Sequence, residues 1–146
     1  MLFSIAVEVP QDEQTAYGLT VPALCNENYG CFSAADQIED VAGMAREAIL
    51  LTITDMIESG NYALEHINDR GPLVYQNTHP EFDGQQWFVI EVDLSELEGK
   101  PQRINISLPD VLIRRIDSRV KTQEDYRDRS HFLAVAAKNE LLRMEG

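Results

Sequence analysis

Along residues 2–9 apolar and polar side chains alternate. Phe3, Ile5, Val7 and Val9 share one face, and Ser4, Ala6 and Glu8 the other, the period of two that predicts a half-buried strand. Pro10 and the polar run 11–15 make a turn. A second strand carries Tyr17, Leu19 and Val21 on one face and closes at Pro22. A short third strand, 31–34, follows the loop 26–30. Ile38, Val41, Ala42, Ala45, Ala48, Ile49, Ile53 and Met56 then recur at helical spacing. Asp36 is the expected N-cap, Glu39 completes a capping-box pair, and Gly60 ends the helix. Residues 61–85 hold the turn signals Gly71-Pro72, His79-Pro80 and Asp83-Gly84 and predict loop with one short helical piece. Residues 86–94 read as a further strand, with Phe88, Ile90, Val92 and Leu94 on its apolar face. The expected arrangement is β-β-β-α-β, with the helix covering one face of the sheet.

The polar connector 95–101 is a candidate domain boundary, and the pattern changes after it. Ile104, Ile106 and Leu108 alternate with Arg103, Asn105 and Ser107. Pro109 opens a short helix with Leu112, Ile113, Ile116 and Val120 on one stripe. A polar loop runs to Arg129, and Ser130 is the expected cap of a second helix carrying Leu133, Ala136, Ala137, Leu141 and Met144. One strand and two helices bury little by themselves. An edge strand this apolar on one face invites pairing with its own copy. A two-stranded antiparallel ribbon covered by four helices answers both needs. The expected division is therefore 1–99 and 100–146, in an α+β chain.

Charge sharpens that division. The 146 residues carry 25 acids and 12 Lys plus Arg, a net of −13. Residues 1–99 hold 18 acids and two cations, Arg46 and Arg70; residues 100–146 hold seven acids and ten cations. The net is thus −16 in front and +3 behind, so an overall acidity that argues against nucleic acid does not describe the tail. The hydrophobic share of 44% suits a folded core, and no apolar run approaches a membrane span. The start lacks a basic n-region, so no signal peptide is read. Cys25 and Cys31 suit reduced thiols in a cytoplasmic protein better than a disulfide framework or a zinc site. His66, His79 and His131 lack metal-ligand spacing and suggest surface or capping roles; no metal or cofactor is expected. Trp87 is expected to contribute to the core on one side or to an oligomer contact.

The run Arg103-Ile104-Asn105-Ile106-Ser107-Leu108-Pro109-Asp110, followed by two helices, resembles the ribbon-helix-helix repressors over roughly 102–143. The front resembles HicB antitoxins through Ala16-Tyr17-Gly18-Leu19-Thr20-Val21-Pro22, Gly30-Cys31-Phe32-Ser33-Ala34, Ala45-Arg46-Glu47-Ala48-Ile49 and Val89-Ile90-Glu91-Val92-Asp93. It departs from that family where Cys25 to Tyr29 enlarge the turn before Gly30, where Ala35 replaces a frequent glycine, where Gln37 replaces a Ser or Thr, and in a long glycine-free loop 121–128. The resemblance implies a partial RNase H-like N-terminal domain without an active site. That domain would neutralise a HicA-type toxin, a small basic ribonuclease. It also implies a C-terminal dimer that binds a pseudo-palindromic operator and represses its own operon, with pairing of dimers into tetramers left open.

On a ribbon lying in the major groove, Arg103, Asn105 and Ser107 would meet base edges, Arg forking to guanine and Asn to adenine. Arg129 and Ser130, at a helix start, and Lys100, at the base of the arm, are candidate phosphate contacts. The plainer reading of these residues is a solvated strand face and ordinary N-capping. Arg114, Arg115 and Arg119 read as solvated helix charges. For the toxin, Tyr29, Phe32, Asp36 and Glu39 cluster near the loop-to-helix join and are the candidate contacts, against the plainer reading of a solvated acidic face. Two other functions compete. An RNase H-like nuclease needs converging carboxylates, and the first strand offers only Glu8, near its end. A ribbon-helix-helix repressor with a small-molecule sensor in front needs a concave pocket with convergent polar groups.

Overall fold

The computed structural model describes residues 1–143. The chain divides into two units, Met1–Lys100 and Pro101–Gly146. The first holds strands β1 (Leu2–Glu8), β2 (Tyr17–Thr20), β3 (Phe32–Ala35) and β4 (Gln86–Glu91), and helices α1 (Val41–Glu58) and α2 (Pro72–Thr78). All pairings are antiparallel and the strand order is β3-β2-β1-β4. On one face Phe3, Ile5 and Leu19 meet Ala45, Ile49 and Ile53 of α1, a stripe with spacing of four that leaves almost no side-chain surface in water. Val92 and Leu94, just past β4, extend that core as the alternation predicted.

The start of α1 differs from expectation. A 3-10 turn, Ile38–Asp40, comes first, and Asp40 occupies the capping position without a side-chain cap bond. Asp36 and Glu39 therefore form no capping box. The chain leaves β3 at Ala35 and uses residues 36–40 to climb onto the sheet, so the first helical turn begins later. Glu39 and Asp40 still lie near the positive end of the helix dipole. At the far end Gly60 takes φ +78°, and the Ser59 and Gly60 amides close on Asp55 and Ile57 carbonyls.

The other face of β1 is not solvated, contrary to the alternation. Ser4 and Ala6 are completely buried. Segment 61–85 folds back over them and supplies its own aromatic layer. Tyr75 of α2 stacks on Trp87 with ring centres 5.9 Å apart, and Phe82 meets Trp87 edge-on at 5.4 Å. Register pairs Ala6 with Trp87 and Ser4 with Val89, so this layer sits opposite α1. β2 pairs with β1 only at Ala6–Glu8, and beyond its end Asp69 takes over. The Asp69 carboxylate accepts the Ser4 N–H at 2.6 Å, the Ser4 hydroxyl at 2.7 Å and the Gly71 N–H at 2.9 Å.

The second unit holds α3 (Asp110–Thr122) and α4 (Arg129–Arg143). Residues 103–108, read as a strand, form none here, because a strand exists only where its main chain finds a partner and one copy supplies none. Ile104 and Ile106 remain 72% and 57% exposed. Asp128, not Ser130, caps α4: its carboxylate accepts the His131 N–H at 2.8 Å. Arg129 instead reaches back to Asp117 of α3 in a two-pronged ion pair, 3.0 and 2.8 Å. Among the described residues of this unit Ile116 alone is fully buried. Leu133 is half-buried, whereas Ala136, Ala137 and Leu141 of its expected stripe face solvent; Met144 lies outside the described residues.

Two expectations follow. Asp69→Ala strands the buried Ser4 main-chain N–H and should cost ~1–3 kcal/mol, whereas Ser4→Ala removes one hydroxyl bond and keeps that N–H satisfied, costing about 1 kcal/mol. Urea unfolding should rank them in that order; equal losses would contradict the role given to Asp69. Second, hydrogen bonding and charge from Arg129 hold the Asp117 carboxyl below the ordinary carboxylate range. A depressed folded value means that the pair supports the fold above the unfolded titration range and lets go as pH falls through the folded midpoint. In Arg129→Gln the Asp117 carboxyl carbon should titrate at a higher pH by NMR, closer to the ordinary carboxylate range; an unmoved midpoint would count against the pair.

Candidate interaction surfaces

The loop leading into β3 is built by short side chains. Asn26 Oδ1 accepts the amides of Asn28 and Tyr29, at 2.8 and 3.0 Å, and the Asn26 N–H returns to the Tyr29 carbonyl at 2.8 Å. The Cys25 thiol donates to the Val21 carbonyl at 3.3 Å, and its sulfur accepts the Cys31 N–H at 3.5 Å. Both cysteines are free thiols, and burial pushes the Cys31 thiol up from its ordinary value. The five-residue enlargement of the turn is thus closed by asparagine and thiol bonds rather than by a proline.

Of the four front candidates, Tyr29 is half-buried with its ring edge-on to Tyr62 at 5.2 Å, while Phe32, Asp36 and Glu39 face solvent. Phe32 is 67% exposed. Its ring lies over Gly30, where an added Cβ would come within 2.4 Å of it, so Gly30 leaves the space that the ring occupies. Beside this edge runs a groove between β3 and α1, bordered by Phe32, Ser33, Met44, Glu47, Ala48, Leu51 and Thr52. Of these, Met44 reads from the sequence as a core residue and Glu47 only as part of the family resemblance, and Leu51 stands out in neither way. The available signal was phase: Leu51 falls off the buried stripe 41, 45, 49, 53, 56 and is 65% exposed.

In the second unit Arg103, Asn105 and Ser107 are exposed, as are Lys100, at the end of the first unit, and Ser130. Arg129 is committed to Asp117, and the first N–H groups of α4 are partly met by Asp128. Arg114 pairs with Asp110 one turn back at 2.8 Å, both well exposed, and Arg115 and Arg119 face solvent. The histidines act locally. His66 Nδ1 accepts the Ala63 N–H, His131 Nδ1 accepts the Arg127 N–H, and His79 meets the Thr78 hydroxyl. Among the described residues no three His, Cys, Asp or Glu converge as a metal-binding group, and no helix is long and apolar enough to cross a membrane.

Residues 3–137 match the family described as HicB-like antitoxin of bacterial toxin–antitoxin systems. The chain is 35% identical over 142 residues to an uncharacterized 14.9 kDa protein in the rep-hol intergenic region of Haemophilus phage HP1, covering 97% of this chain and 98% of that protein. Its fold is similar to the crystal structure of the Burkholderia pseudomallei antitoxin HicB, with TM-score 0.52 and 34% identity over 94% of this chain and 96% of the other. A fold likeness also reaches a chain of the HicA3 and HicB3 toxin–antitoxin complex, with TM-score 0.50 and 19% identity over 64% and 99% of the two chains. The match spans both units and nearly the whole length of each full-length relative, and the chain belongs to the HicB-like antitoxin family.

Proposed function

We propose that this antitoxin binds and neutralises a HicA-type ribonuclease through residues 1–99 and represses its own operon through residues 100–146. It does so by binding, not by catalysis, as a cytoplasmic homodimer. The single observation that carries the second half is the unpaired segment 103–108. It presents Ile104 and Ile106 to water beside helices with one buried side chain among the described residues. Pairing that segment with its own copy would satisfy the main chain and cover both isoleucines, giving a ribbon-helix-helix dimer. The exposed apolar positions Val111, Leu112 and Leu141 are available to the same assembly.

On such a ribbon Arg103, Asn105 and Ser107 face away from the covered isoleucines and reach base edges of a pseudo-palindromic operator. Lys100 and Ser130 contact phosphate, and Arg129 does so by exchanging Asp117 for a phosphate oxygen. For the toxin, the support is charge. The front carries a net of −16, and a ribonuclease must present a basic surface to RNA. A similar fold occurs in the complex of HicA3 with HicB3. Phe32, Asp36 and Glu39 form the exposed part of the docking surface, with Tyr29 supporting it from behind.

Asn105→Ala should lower discrimination between operator and scrambled duplex by roughly 1–3 kcal/mol per base contact while leaving nonspecific affinity in place. Competition binding at fixed salt checks this, and unchanged discrimination would remove Asn105 from the readout. Replacing Asp36 and Glu39 together by Lys should weaken toxin binding on the order of tenfold, mainly through slower association at low salt. Stopped-flow mixing with the purified toxin is the measurement; a normal association rate would take both acids off the surface.

A further inference from the structure

β3 is an edge strand of the sheet. Val21 donates its N–H to the Cys31 carbonyl at 3.0 Å. Antiparallel pairing alternates from there, so Ser33 and Ala35 exchange main-chain bonds with β2, while Phe32 and Ala34 turn their N–H and C=O groups to the open side. Alongside that open side the groove of about 280 Å³ runs between β3 and α1, with Met44, Ala48 and Leu51 as its apolar wall. Helical spacing extends the same α1 stripe to Asp40 at one end and Asp55 at the other, both exposed, with Glu47 in the middle. Asp36 follows β3 directly. The cation of α1, Arg46, borders a different cavity with Glu91 and Glu96.

We propose that this edge takes an extended basic segment of the toxin as a fifth strand. The inference rests on the toxin-binding function above and names how that binding is made. An added strand would satisfy the outward N–H and C=O groups of Phe32 and Ala34. Its alternate side chains would enter the groove against Met44, Ala48 and Leu51, and those must be apolar. The remaining side chains would pass beside Phe32, and flanking Lys or Arg would meet Asp36, Asp40, Glu47 and Asp55. A second copy of this chain at the same edge would bring two sets of these acids together across a two-fold axis. Charge therefore selects a basic partner over self-pairing.

The test uses the full chain and a purified HicA-type toxin, inactivated in its ribonuclease site, in titration calorimetry. Ala34→Pro removes an outward N–H while sparing the bonds to β2, at an edge position that tolerates proline. Leu51→Lys puts a cation into the groove from an exposed site. Each should weaken binding at least tenfold with the thermal midpoint kept, while Val89→Lys on β4, the opposite edge, binds as the unaltered chain does. If Ala34→Pro does not fold, Leu51→Lys decides. Folded variants that bind with full affinity overturn the added strand but leave toxin binding standing. An unaltered chain that does not bind removes both. A lower sedimenting mass for free Ala34→Pro, with full toxin affinity, gives the edge to a second copy and overturns the proposal.

Discussion

The N-terminal unit depends on β1 being covered on both faces. Its large side chains, Phe3 and Ile5, meet α1, and its small ones, Ser4 and Ala6, let the segment 61–85 approach from the other side. That approach places Tyr75 on Trp87 and brings Asp69 to the stretch of β1 that β2 does not reach. A buried main-chain N–H without an acceptor is expensive, so the carboxylate of Asp69 completes the sheet where a strand would otherwise have to continue. β2 can therefore be short. The chain can turn away after Thr20, build the asparagine-and-thiol loop, and return as β3 at the sheet edge. The open edge at β3, the surface proposed for the toxin, follows from where β2 stops.

Much of this was legible in the residues. The four strands lie where the period of two puts them, with β4 stopping at Glu91 rather than Leu94; the body of α1 lies where the period of 3.6 puts it, and Gly60 ends it as expected. Two misreadings have a common origin. Alternation shows which side chains differ in polarity, and Ser4 and Ala6 are small enough to be buried or wet. Only the aromatic residues of a distant, weakly periodic segment decide between those outcomes. Likewise Asp36 and Ser130 have the right chemistry for caps, but the cap goes to the residue that the path of the chain leaves at the helix start, Asp40 in position at one and Asp128 through its side chain at the other. Arg129 was legible as a cation at a helix start; its commitment to Asp117, twelve residues back, was not.

The candidate surfaces divide in the same way. Phe32, Asp36 and Glu39 were readable as polar or prominent positions near a turn. The groove beside them was not, because it arises from where α1 crosses the edge of the sheet. Leu51 becomes meaningful only when the helix has a direction and its buried stripe is fixed. The tail was readable as incomplete: too few apolar residues, with too regular an alternation, to close on themselves.

That incompleteness ties conformation to amount. Under the proposed dimer, segment 103–108 becomes a strand only when two chains meet, so its ordered fraction follows mass action. At low abundance most tails would lack the surface that reads DNA, and each further chain would raise the competent population more than proportionally. A repressor assembled this way would sense its own concentration through the pairing of one strand, with no ligand and no second conformation of the front domain.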